Sequence, residues 1–176
     1  MALTRLVTPE DAAEITDLHR RNEEFLRPWD PLRDPEFFTV DEQRRLIETA
    51  LEGHERGATM PLVIVTEDGT IAGRLFLNAI TRGALQSTAF GYWLGEEFGG
   101  RGLATAAVGE AVGIAFGDLG LHRVEAGTLL HNVRSQAVLR RNGFTPYGVV
   151  PEYLRIEGRW QDHLLFHRIN PDYRQA

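Results

Sequence analysis

Glycines occupy positions 95, 99, 100 and 102, between an apolar run from Ser87 to Leu94 and an alanine-rich run that begins at Leu103. No helix or strand continues through that spacing, because glycine loses the most backbone freedom on ordering and has no side chain to pack. The local order is therefore strand, glycine loop, helix. The first amides of such a helix have no partner within it, and together with the helix dipole they favour negative charge. Phe98-Gly99-Gly100-Arg101-Gly102-Leu103-Ala104-Thr105 thus suits a pyrophosphate, with Arg101 adding a cation. Two common phosphate motifs are excluded by the residues themselves. A P-loop needs Lys and then Ser or Thr after its last glycine, where Leu103 and Ala104 stand; the dinucleotide fingerprint counted from Gly100 and Gly102 fails at Thr105.

The rest of the chain reads as mixed α and β. Leu3 to Val7 suits a first strand. Thr8-Pro9-Glu10-Asp11 opens a helix to about Arg21, and Thr39-Val40-Asp41-Glu42 opens another, with Gly53 and Gly57 as stops. Between them, Arg27-Pro28-Trp29-Asp30-Pro31 through Pro35 is too proline-rich for regular helix. Pro61 to Glu67, the turn Asp68-Gly69 and Thr70 to Ile80 form a β-hairpin, with Gly73 as a bulge. His122 to Leu130 is a strand, Asn132 to Asn142 a short helix closed by Gly143, and Phe144 to Val150 a strand; a hairpin around Glu157-Gly158 follows, with Trp160 to Ile169 as its last strand. Two strand-to-helix junctions then open side by side, where open sheets bind ligands. A hairpin ahead of the glycine loop, rather than repeated β-α-β units, opposes a classical dinucleotide fold.

Composition narrows the chemistry. In 176 residues there is no cysteine, which removes disulfides, thiolate metal sites and a cysteinyl-acyl intermediate. His163 and His167 are four apart on a strand, roughly 13 Å, too far to share a metal; no metal site is expected. The net charge of −6 opposes direct nucleic-acid binding and attachment to anionic membranes. No stretch is long and apolar enough to span a bilayer, and Met1-Ala2-Leu3-Thr4-Arg5 lacks the layout of a leader. One domain over residues 1–176 and a cytoplasmic address are the expectations.

Gly99-Gly100-Arg101-Gly102-Leu103-Ala104 resembles the acetyl-CoA signature of the GNAT superfamily of N-acetyltransferases: Gln or Arg, two residues, Gly, one residue, Gly or Ala. Gly102 and Ala104 match, and Gly99 stands in the Gln/Arg place. Asn132-Val133-Arg134-Ser135, followed by Val138 to Phe144, is similar to that family's second segment, which ends in Gly-Phe. Phe90-Gly91-Tyr92-Trp93, Glu152-Tyr153-Leu154, Gly158-Arg159-Trp160 and Arg27-Pro28-Trp29 extend the likeness to the ribosomal-protein-alanine branch, over nearly the whole chain.

The resemblance implies an α+β fold: a mostly antiparallel mixed sheet splayed in a V and flanked by helices. It implies acetyl-CoA as acetyl donor, held by Leu94, Gly99, Gly100, Arg101, Gly102, Leu103, Ala104, Thr105, Asn132 and Ser135. Many members carry a Tyr acid four residues before the Gly of Gly-Phe, where this chain has Leu139. Ser135 becomes the acid and Glu152 the base, direct or through water, with Trp29 and Tyr92 in the acceptor pocket. The implied reaction is direct transfer to the α-amine of a protein, a ribosomal protein with an alanine-type terminus. A small amine (antibiotic, polyamine or amino acid) as acceptor, a non-catalytic acyl-CoA-binding module, and a homodimer all stay open.

Overall fold

The computed structural model describes residues 3–173. Met1 and Ala2, part of the segment inspected above for a leader, and residues 174–176 lie outside them.

The first half of the chain builds an antiparallel sheet with helices on one face. Strand β1 (Thr4–Leu6) leads through a 3-10 turn (Pro9–Asp11) into α1 (Ala12–Arg21). That entrance is fixed by Asp11, whose carboxylate accepts the Thr8 amide at 2.8 Å and both terminal nitrogens of Arg5 at 2.8 Å. A short α2 (Glu23–Leu26) follows, and then the proline-rich segment, which forms two 3-10 turns, Arg27–Trp29 and Pro35–Phe38. The next helix, α3 (Val40–Glu55), is capped by Thr39 accepting from the Glu42 amide. It runs through Gly53, which was expected to stop it. A Cβ there would come 2.8 Å from Thr59 Oγ1, so close packing rather than termination accounts for that glycine.

The hairpin of β2 (Met60–Val65) and β3 (Ile71–Thr81) pairs with β4 (Ser87–Leu94). The register slips between Ile64 and Val65, so the extra residue is Ala72 and not Gly73. Gly73 instead lets the backbones of β3 and β4 meet: a Cβ on it would overlap the Trp93 carbonyl oxygen and lie 2.9 Å from Leu94 Cα. Replacing Gly73 with alanine should therefore separate the strands and cost at least about 2 kcal/mol of stability, measured as a lower midpoint in urea unfolding; an unchanged midpoint would contradict this account.

After the glycine loop come α4 (Leu103–Phe116), β5 (Arg123–Leu129), α5 (Val133–Arg141), β6 (Thr145–Ile156) and β7 (Arg159–Ile169). Among the described residues the strands form one seven-stranded sheet, in the order β1-β2-β3-β4-β5-β7-β6, antiparallel except where β4 meets β5. Strand β6 runs six residues past its expected end at Val150 because it resumes pairing beyond an irregularity: Val150 faces His163 and Leu154 faces Gln161. Pro151 has no N–H for the ladder, and Glu152 takes φ +47 within that irregularity.

Alternation along the strands divides the sheet into two faces. Leu75, Leu77, Phe90 and Val124 bury against α4 and α5 in one core. Val63, Val65 and Ile71 bury against α1 and α3 in the other, with Trp93 packed at its margin.

Candidate active site

The parallel pairing of β4 with β5 covers only Ser87↔Arg123, Thr88↔Val124 and Ala89↔Glu125. Beyond Ala89 the strands diverge, which leaves Gly91 and Gly127 exposed in the gap and an unpaired backbone edge on each side of it. The chain leaves β4 toward the start of α4 and leaves β5 toward the start of α5, so both helix amino termini open near this split. A cavity of about 540 Å³ occupies it, within the usual size of small-molecule pockets.

At the first junction Gly100 and Gly102 adopt φ +75 and +78. Glycine holds that left-handed conformation without the steric cost a Cβ brings. Gly102 is the N-cap of α4, and the first helical bond runs from the Ala106 amide to its carbonyl. Among the described residues no acceptor meets the amides from Gly100 to Thr105. Gly99, Gly100 and Arg101 are exposed, while Leu103, Ala104 and Thr105 are half-buried. The loop is thus a cradle of free donors that fits a diphosphate. Asn142 anchors it from behind: its side-chain amide donates to Thr105 O and to Val138 O, each at 3.0 Å, tying α4 to α5. Leu94, half-buried against the α4 face, ends the strand that leads there.

At the second junction the Asn132 side chain accepts from the Ser135 amide at 3.1 Å, capping α5. The Ser135 hydroxyl lies 3.0 Å from Tyr92 Oη, across the split. Burial pushes the Tyr92 phenol above its ordinary range, against the opposing effect of Ser135, so it holds its proton at neutral pH. Tyr92, Asn132 and Ser135 all line the cavity.

The opposite wall comes from the amino-terminal half. Trp29 lines the cavity and packs on His131 with ring centroids 5.4 Å apart, joining the proline-rich segment to the start of α5. The Glu157 amide donates to Asp30 O at 3.0 Å, so the tip of the β6-β7 hairpin closes against the same segment. Glu152 is exposed and is not among the residues lining the cavity; its amide donates to Asp162 Oδ1 at 2.9 Å.

Two further lining residues, His19 and Arg74, were not singled out from the sequence. The signal for the second was present, since an arginine inside the apolar strand Ile71-Ala72-Gly73-Arg74-Leu75-Phe76 breaks its pattern. Arg74 is 5% exposed; burial pulls it down to about 10, Asp11 opposes that, and it stays a cation at neutral pH. His19 is buried between Phe37 and Trp93, at centroid distances of 5.1 and 4.1 Å. Burial first, then Arg74 and Arg33, lower it to about 3.

The unfolded imidazole takes its proton near pH 6.5 and the folded one only near 3. Across that window the unfolded state binds more protons, so stability should fall on acidification below about pH 6.5. Replacing His19 with phenylalanine should flatten that slope in denaturant titrations run from pH 4 to 8; parallel slopes for both proteins would refute it.

With this geometry in hand, comparison with known proteins assigns the chain. The family model for the acetyltransferase (GNAT) domain matches residues 2–145, and the chain belongs to that family. It is 36% identical over 166 residues to a probable N-acetyltransferase of Bacillus subtilis, YjcK, covering 94% of this chain and 92% of the relative. It is 30% identical over 172 residues to the [ribosomal protein uS5]-alanine N-acetyltransferase of Escherichia coli, covering 97% and 89%. Among solved structures, Mycobacterium smegmatis RimJ in complex with CoA-disulfide superposes with a TM-score of 0.92 at 32% identity, covering 98% of this chain and 84% of that one. The protein is an acetyl-CoA-dependent N-acetyltransferase with the splayed mixed sheet of its family.

Proposed function

We propose that this enzyme acetylates the amino-terminal α-amine of a protein, specifically a ribosomal protein whose first residue is small, such as alanine. The supporting observation is the Tyr92-Ser135 hydrogen bond at a split reached from both faces of the sheet. The glycine cradle lies on the α4 side, while His19, Trp93, Arg74 and the Trp29 segment wall the other. The kinship with ribosomal-protein acetyltransferases supports the choice of acceptor, and with it a cytoplasmic setting. The whole chain acts as one catalytic domain in this reading.

Acetyl-CoA supplies a thioester whose acetyl carbon is open to direct attack. The amides from Gly100 to Thr105, with Arg101, hold its diphosphate, and the free edge near Leu94 and the Asn132 cap hold the arm. An α-amine with a pKa near 8 is about one-tenth neutral at pH 7, so a modest base is enough. Glu152 serves through a water, taking the proton that the amine loses. Ser135, backed by the protonated Tyr92, donates toward the departing sulfur. No covalent enzyme intermediate is needed.

The test is incubation with acetyl-CoA and amino-terminal peptides, following free thiol and the mass of the product. Peptides beginning with alanine or serine should gain one acetyl group on the α-amine. Turnover of polyamines or aminoglycosides alone, or none with any peptide or intact ribosomal protein, would overturn the proposal.

A further inference from the structure

Arg74 has no part in the chemistry above, and it is the cavity's outstanding electrostatic anomaly. Its Nε is fully buried and, among the described residues, has no hydrogen-bond partner. Among the described residues no carboxylate pairs with the guanidinium, and Asp11, whose charge opposes the effect of burial on Arg74, is already held by Arg5. The guanidinium carbon lies 4.2 Å from the centroid of the Phe76 ring. A ring face stabilises positive charge but accepts none of the in-plane N–H bonds that an arginine presents. Leaving a buried cation so poorly satisfied costs stability, and the residue lines the acceptor side of the cavity.

Register fixes where that charge acts. Arg74 pairs with Trp93 and Phe76 with Gly91, so the group projects from the strand next to β4, on the face opposite α4, beside the residues flanking Tyr92. Neighbouring strands are about 4.8 Å apart and an extended chain advances about 3.3 Å per residue. An anion held by Arg74 therefore falls one or two residues along an acceptor peptide whose amine is at the split. Among the described residues Asp30 is the one carboxylate lining the cavity; it is engaged by Arg33 at 2.9 and 3.1 Å and does not compete for Arg74. The cavity is locally basic in a protein of net charge −6.

We propose that Arg74 is a specificity residue that binds an acidic side chain at the second or third position of the acceptor's amino terminus. This rests on the reading of the acceptor as a peptide terminus. A carboxylate there completes the guanidinium's in-plane bonds in a water-poor site, where such a pair discriminates strongly against a neutral isostere.

The experiment compares Ala-Glu and Ala-Ser-Glu peptides with their glutamine isosteres, in acetyl transfer and in calorimetric binding to the enzyme loaded with coenzyme A. The glutamate peptides should be favoured in kcat/KM by about 10- to 100-fold. In Arg74→Gln the two series should converge, and Arg74→Lys should retain part of the preference. Arg74→Met, which removes a buried uncompensated charge, should melt no lower than the parent; a structural role would predict the reverse. Turnover without a glutamate preference would sink the Arg74 assignment and leave the proposed function intact. Absence of turnover, with glutamate-selective binding lost in Arg74→Gln, would sink the function and leave the assignment. Absence of both turnover and selective binding would sink both.

Discussion

Replacing Gly102 with valine is expected to weaken coenzyme A binding by at least about 100-fold while leaving a folded protein. At φ +78 a β-branched residue is strained by about 1–2 kcal/mol, and the chain relieves that strain by rotating out of the left-handed region. Rotation at the N-cap re-aims the amides of Leu103, Ala104 and Thr105, which among the described residues have no acceptor and form part of the proposed diphosphate site. Little else changes, because Gly102 is exposed and a Cβ on it would meet nothing within 4 Å. Calorimetry would read the lost affinity, and a thermal melt would show a modest drop. Retained affinity would remove this loop as the diphosphate site.

The second large effect concerns the pair across the split. Ser135→Ala and Tyr92→Phe should each lower kcat by on the order of 100-fold, with little change in the KM for acetyl-CoA, as expected of groups that act on the leaving sulfur. Because the two hydroxyls are joined at 3.0 Å, the double variant should be hardly slower than either single one. A slower-leaving thiolate analogue should magnify the loss. Full additivity, or a loss confined to KM, would show that the two residues act separately or only in binding. Stability should move by no more than about 1 kcal/mol for either variant, since both side chains are half-buried and each loses the same hydrogen bond.

Much of the architecture was legible because local rules and tertiary demands agree along most of the chain. The hairpin, the strand ending at Leu94, the helix beginning at Leu103 and the Asn132 cap all fell where propensity and capping placed them. Legibility failed where a residue answers to a neighbour distant in sequence. Gly53 and Gly73 read as a stop and a bulge, yet the first accommodates Thr59 and the second the carbonyl of Trp93. The hairpin at Glu157-Gly158 was legible, but that its first arm continues the strand from Thr145 past Pro151 depends on β7 resuming its ladder at Leu154, which no local pattern announces. At the site, Tyr92 and Ser135 were both named from resemblance, but 43 residues separate them and nothing local says they touch.

Sequence alone determined the material of the reaction. Glycines at 100 and 102 permit a backbone that other residues resist, the missing cysteine removes a cysteinyl-acyl intermediate, and the order of strand, loop and helix leaves free amides at a helix start that suit an anion. Tertiary structure decided how those parts face one another. It limits β4 and β5 to three paired residues, so that a cavity opens between them, and it buries Arg74 in that cavity with no carboxylate paired to it among the described residues. The reason is physical: backbone conformation follows from each residue and its chain neighbours, whereas burial, desolvation and charge pairing depend on what distant segments bring to the same place.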